Sequence, residues 1–270
     1  MLAFAGNSVL CRLALSRTHI DPASFTADRL VSGAAALWLT MRIRGGPAWG
    51  SGNWTSALAL LAYAAGFSFA YTGLSAATGA LLLFGAVQAT MLGVAVAAGE
   101  RLNARQSTGV VLAIGGLIAL LLPGLSAPPA GSATLMVGAG IAWGLYSLRG
   151  KGAGDSTAVT AGNFLRAAPT AIALSLLWPH APFDPWGMGY AVVSGALASG
   201  LGYAIWYAVL PSLRSTTAAV VQLSVPVIAT LGGHVLLAEV ITPRVILASG
   251  TILGGIAIVV FGRARARESV

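Results

Sequence analysis

The residues best suited to hold a small molecule are aromatic and amide side chains at helical spacing. Tyr63, Phe67 and Tyr71 recur every four residues, and Phe84 and Gln88 repeat the pattern further on. Residues four apart lie on one stripe of a helix. Trp143 and Tyr146 share a face in the same way, as do Tyr203, Trp206 and Tyr207. Asn7 and Gln222 add uncharged amides inside apolar runs. Such a set can stack on an apolar solute and hydrogen-bond its polar end. It can equally be packing between helices, because an amide in apolar surroundings needs a partner wherever it sits. Trp54, Trp178 and Trp186 fall at helix ends and fit an interfacial belt.

Reactive chemistry has little to work with. The chain has no His-Glu-x-x-His pair, no Cys/His cluster and no glycine loop ending in Lys. It therefore reads as no enzyme, with no metal centre and no cofactor. His19, His180 and His234 are isolated from one another. His234 reads either as a hydrogen-bonded interfacial histidine or as a pH sensor. The single Cys11 leaves no intrachain disulfide. Among the acids, Asp21, Asp155, Asp184 and Glu268 lie in loops or the tail, Asp28 near a helix start, and Glu100 and Glu239 at hinges. None falls midway along an apolar run, where an ionisable group is costly and is kept for function. Glu100 and Glu239 are either coupling groups or hinge carboxylates that favour the next helix N-terminus and pair with an Arg.

Composition says what must position these side chains. Of 270 residues, 57% are hydrophobic and 8% charged, against about 25% charged in soluble domains. Apolar runs of roughly twenty residues cross about 30 Å of hydrocarbon as helices, whereas barrel strands would alternate. The net charge of +8 reads as cytoplasmic loop residues rather than as a nucleic-acid surface. Residues 1–15 lack the basic start and cleavage site of a signal peptide and count as structure.

One hairpin organises the chain. An apolar run, Gly79–Ala98, meets a charged turn around Glu100, and a second run, Thr108–Leu122, crosses back. An offset of 139 residues takes Glu100 to Glu239, Thr78 to Thr217, Arg105 to Arg244 and Gly115-Gly116 to Gly254-Gly255. The same offset takes Phe25 to Phe164 and Ser8 to Ser147. This is an internal duplication. Its second copy begins near Ser132, about seven residues before the position equivalent to Met1, so the expectation is a longer N-terminus or a start assigned too late.

The pattern predicts ten helices: Met1–Leu15, Ser24–Ile43, Trp54–Thr72, Thr78–Ala98, Gln106–Leu122, Thr134–Leu148, Ala158–Trp178, Trp186–Val209, Thr216–Leu237 and Val245–Phe261. A first five-helix repeat covers residues 1–123, a connector 124–133, a second repeat 134–262 and a basic tail 263–270. An odd number of helices per repeat makes the repeats inverted. With both termini cytoplasmic, eleven Lys and Arg lie inside and only Arg12, Arg17, Arg29 and Arg244 outside, as the positive-inside rule favours.

Gly99-Glu100-Arg101-Leu102, after a small-residue helix and before Gly109 and Gly115-Gly116, resembles the signature of the drug/metabolite transporter superfamily. More narrowly, the chain resembles EamA-type proteins, with ten helices in two repeats. Phe4-Ala5-Gly6-Asn7-Ser8 and Trp143-Gly144-Leu145-Tyr146-Ser147 resemble the aromatic-glycine segments of helices 1 and 6 there. Within the family it looks most like amino-acid exporters of the YddG type. Two departures stand out. The family's proline thirteen residues before the hinge Glu is present as Pro226 before Glu239 but is Val87 before Glu100, and the second hinge reads Ala238-Glu239-Val240. Glu100, Glu239 and Pro226 are thus structural hinge positions, in halves that are functionally unequal.

The resemblance implies a secondary transporter of the bacterial inner membrane that exports small organic solutes. Amino acids with aromatic or large apolar side chains are the expected class. Alternating access would run through a cavity ringed by helices 1, 3, 4, 6, 8 and 9, with helices 5 and 10 as a seam. The expected partners are the solute and the lipid bilayer, with no nucleic acid and a monomer as the plausible assembly. The lack of a midplane acid points to transport down the solute gradient with little proton dependence. A non-transporting membrane scaffold is the alternative, and it has no need of two-sided symmetry.

Overall fold

A computed structural model describes all residues except 47–50, 100, 123, 125–126, 151–153, 180, 210–214 and 269–270. The side chains of residues 207–208, 215–220 and 262–268 are also outside the description. The chain forms α1 (Leu2–Arg17), α2 (Pro22–Ile43), α3 (Trp54–Tyr71), α4 (Ala76–Ala97), α5 (Ala104–Leu121), α6 (Ala130–Gly150) and α7 (Ser156–Leu177). Helix α8 runs through Pro185–Val193, a wide π-type stretch Ser194–Leu201, and Gly202–Val209. Then come α9 (Ser215–Leu237) and α10 (Pro243–Glu268). No strand occurs among the described residues. This is an all-helical, multi-pass membrane protein.

Two boundaries differ from the sequence reading. Helix α6 begins at Ala130, inside the expected connector. Pro129 directly precedes it, and its carbonyl accepts from the Ala133 N–H at 2.9 Å, so proline opens the helix where its fixed φ is suited to do so. Helix α10 continues through the basic tail to Glu268, where no proline stops it.

The loop acids are helix caps. Asp21 accepts from the N–H groups of Ala23 and Ser24, and Asp155 from those of Thr157 and Ala158. Asn53, Ser75 and Asn103 cap α3, α4 and α5, the last in a reciprocal box with Gln106. These side chains take up N–H groups that no helical carbonyl can reach. Asp184 caps α8 and also accepts the His19 N–H at 2.9 Å. The donors from His19, Gly187 and Trp186 hold its carboxyl below the ordinary value of 3.8.

Among the described residues, five helical stretches are long and apolar enough to cross a membrane: Trp54–Tyr71, Ala76–Ala97, Ala104–Leu121, Pro185–Trp206 and Pro243–Phe261. The outer face carries Val111, Ile205, Val235 and Leu247 in the open, as hydrocarbon allows and water does not. Helix α5 packs chiefly on α10, and α2 packs on both α8 and α7. The main pairings α3–α6, α4–α6 and α3–α7 recur as α8–α1, α9–α1 and α8–α2. Exchanging each helix with the one five later thus reproduces the principal packing.

Candidate functional site

Six helices converge on a central cavity. Its walls are Phe4 and Asn7 from α1, Tyr63 and Phe67 from α3, Leu83 and Phe84 from α4, Trp143 from α6, Tyr203 from α8 and Gln222 from α9. Trp143 is the hub: its ring centroid lies 4.7 Å from Tyr63, 4.9 Å from Tyr203 and 5.4 Å from Tyr146. These are ordinary contact distances for tilted and stacked aromatic pairs. The space left between the walls is about 20 Å³, room for about one water. A solute of amino-acid size enters only when the walls part. Pro226 lies four residues after Gln222 and has no N–H to give the Gln222 carbonyl, so α9 is weakened where it borders the cavity.

A polar chain runs behind the aromatic wall. Ser194 Oγ donates to Asn7 Oδ1 at 2.5 Å, and Asn7 Nδ2 donates to the Tyr63 hydroxyl at 3.3 Å. Arg29 Nη2 donates to the same hydroxyl at 3.1 Å, and Arg29 Nε to Ser199 Oγ at 3.1 Å. Both serines come from the wide turns of Ser194–Leu201. Such π-type insertions re-aim side chains and cluster at functional sites. Gly195 lets this stretch press on α2: a Cβ there would stand 2.1 Å from the Arg29 carbonyl oxygen.

Arg29 corrects the sequence reading, which placed it among charges on the outer side. It is 1% exposed, inside the bundle. Its guanidinium carbon sits 4.9 Å from the Phe67 ring centroid and 5.2 Å from that of Tyr63. Both rings line the cavity. The missed signal was periodic: Phe25, Arg29, Gly33 and Leu37 follow one another at four-residue spacing, and all are buried.

The two ends of the cavity differ. At one end Arg12 Nε pairs with Glu239 Oε1 at 3.0 Å, and Arg12 Nη1 donates to the Tyr71 carbonyl at 2.9 Å. Glu239 Oε2 accepts the Ala76 N–H at 2.8 Å. Glu239 thus serves the N-terminus of α4, not that of the helix following it, while its pairing with an Arg is as expected. His234 Nδ1 lies 3.0 Å from the Glu239 carbonyl and must carry its proton there. At the other end is a polar pocket of about 190 Å³, lined by Asn53, Ser56, Tyr146, Arg149, Thr160 and Asn163 among others. Arg149 Nε donates to Ser56 Oγ at 3.2 Å. The Trp143–Tyr146 stack stands between pocket and cavity.

Of the aromatic and amide residues singled out in the sequence, Asn7, Tyr63, Phe67, Phe84, Trp143, Tyr203 and Gln222 meet at the cavity. Tyr71 does not line it. It packs on Phe67, and its hydroxyl donates to the Ala76 carbonyl at the clasped end. Tyr146 faces the polar pocket. Trp206 stands edge-on behind Phe4, at 6.1 Å, and Gln88 is half-buried away from the cavity. The Tyr207 side chain and Glu100 lie outside the described residues.

A sequence model of the EamA-like transporter family matches residues 131–261. An uncharacterized protein of Pseudomonas aeruginosa is 56% identical over 99% of this chain and 95% of its own length. An uncharacterized transporter of Archaeoglobus fulgidus is 30% identical over 60% of this chain and 59% of its own. A protein of known crystal structure superposes with a TM-score of 0.68 over 97% of this chain and 98% of its own, at 18% identity. That last likeness speaks for the fold.

Proposed function

The chain belongs to the EamA-like transporter family of the drug/metabolite transporter superfamily, and from that premise we propose that it exports small organic solutes by alternating access through the central cavity. The class we propose is amino acids and related metabolites with aromatic or large apolar side chains, as in exporters of the YddG type. One observation carries this reading: the aromatic wall draws on six helices from both halves of the chain. A cavity at the junction of two repeats can be reached from either face as the halves trade conformations. The reading takes the two five-helix sets as inverted repeats. It places the protein in a bacterial cytoplasmic membrane with both termini inside, so that the Arg149 pocket opens inward and the Arg12–Glu239 clasp lies outside.

No acid lines the cavity among the described residues, which supports transport driven by the solute gradient rather than by protons. The test is flux in proteoliposomes against a panel of amino acids and aromatic acids, with and without an imposed pH gradient. Saturable flux that ignores the pH gradient supports the proposal. A steep pH response abolished by Glu239→Gln would show proton coupling instead. No flux of any solute from correctly folded protein would favour a membrane scaffold.

A further inference from the structure

We infer that Arg29 is the anchor for a carboxylate on the transported solute, which makes the substrate class aromatic or large apolar carboxylates. The inference rests on the transport reading above and names the chemistry of its cavity.

A guanidinium stays protonated, so Arg29 keeps a full positive charge in the interior. Placing such a charge there is expensive unless something answers it. The structure answers it only in part. Both hydrogen-bond partners, Tyr63 and Ser199, are neutral hydroxyls. Among the described residues, the one ion pair is Arg12 with Glu239, so Arg29 has no carboxylate beside it. The rings of Phe67 and Tyr63 lend cation–π attraction, which eases the charge without neutralising it. Arg29 Nη1 is fully buried and has no hydrogen-bond partner at all. A purely structural arginine at this depth would have its donors filled, since an unmet buried donor costs stability.

The donors left over suit a carboxylate. The Tyr63 oxygen already accepts from both Asn7 and Arg29, so its own proton turns away from them, toward the neighbouring Tyr203 hydroxyl or toward an anion that takes that place. Arg29 Nη1 and the Tyr63 O–H together offer two kinds of donor to one anion, and a carboxylate brings two acceptor oxygens. Tyr63 is itself a wall of the cavity. An anion bound here would leave the rest of its molecule against Phe67, Trp143 and Tyr203. Among the described residues no acidic side chain shares the cavity, so the site selects for the carboxylate end and makes no matching demand for an ammonium.

The experiment measures equilibrium binding of phenylacetate, phenylalanine and the neutral phenylacetamide to the purified full chain, with melting temperature recorded for every variant. Wild type is expected to bind the carboxylates at least about tenfold more tightly than the amide. Arg29→Gln is expected to erase that preference while binding the amide as before. Arg29→Lys keeps the charge and loses the planar fork, so preference persists with weaker binding. Should Arg29→Gln fail to fold, Arg29→Lys and the wild-type preference decide. Equal binding of carboxylate and amide by wild type overturns the anchor. So does chloride, if it displaces phenylacetate through Arg29 and proves to be the only anion moved into liposomes. Aromatic carboxylates crossing at wild-type rates in folded Arg29→Gln would sink the anchor and leave the transporter standing. No binding and no flux of any solute would sink the transport reading itself.

Discussion

Gly109 on α5 and Gly255 on α10 meet backbone to backbone. A Cβ on Gly109 would stand 2.6 Å from the Gly255 carbonyl oxygen, and one on Gly255 would stand 2.5 Å from that of Gly109. Neither obstacle is a flexible side chain, so the helices themselves must separate to admit a methyl group. Gly109→Ala and Gly255→Ala are each expected to cost about 1–3 kcal/mol. Gly115→Ala, about one and two-thirds turns on and facing open space, is the control. Thermal denaturation in detergent reads all three, and equal melting of Gly109→Ala and Gly115→Ala would contradict the close approach.

Trp143 and Gln88 separate lining from packing. Trp143 touches Tyr63, Tyr146 and Tyr203 at once, whereas Gln88 lies off the cavity. Trp143→Ala is expected to cut solute flux by at least about tenfold, with the protein still folded. Gln88→Ala is expected to transport as wild type. Flux and melting temperature measured together decide: loss of folding in Trp143→Ala, or lost flux in Gln88→Ala, would mean the cavity is drawn in the wrong place.

The positions of the helices were legible in the sequence because apolar runs of membrane-spanning length are separated by short polar, proline- or glycine-rich breaks. The side-chain caps at Asp21, Asn53, Ser75, Asn103, Asp155 and Asp184 were not read from that pattern. The site was only partly legible. Helical spacing tells which residues share a stripe but not how deep they sit, so Phe67 and Tyr71 looked alike. Tyr71 lies one turn further along α3, where its ring meets Gly79 and its hydroxyl reaches the Ala76 carbonyl at the clasped end. The π-type turns of α8, which bring Ser194 and Ser199 to the polar chain, have no period that a regular helical reading can detect. Arg29 was visible as a charge, but its burial depends on Gly33 and Gly195 letting α2, α7 and α8 close around it.

Asp184 supplies a pH-dependent contact. Its folded carboxyl titrates below 3.8 because it accepts the N–H groups of His19, Gly187 and Trp186. A depressed folded value means that the contact stabilises fully above the ordinary carboxylate range and fades as pH falls through the lower value. Asp184→Ala is therefore expected to melt below wild type at neutral pH, with the gap closing as acid protonates the wild-type side chain. Melting curves from neutral pH to pH ~3 follow it. A gap that widens in acid would reverse the sign of this argument.

Glu239 does two jobs at once, pairing with Arg12 and taking the Ala76 N–H. Glu239→Ala removes both and is expected to cost about 1–3 kcal/mol. Arg12→Ala and the double variant complete a thermodynamic cycle, with an expected coupling of about 0.5–3 kcal/mol. Strict additivity would show that the two side chains stand near each other without acting together.

That clasp has a consequence for how the molecule would turn over. On the alternating-access reading, solute passes that end of the cavity only after Glu239 has let go of both Arg12 and the Ala76 N–H. The clasp is then a bolt on one face of the molecule, and its strength sets how much of the resting population is shut there. Glu239→Gln weakens the bolt and would shift the resting population toward opening at that end. A single cysteine placed beside Tyr71 would report it as faster labelling in the variant, and unchanged labelling would show that the bolt does not set the bias.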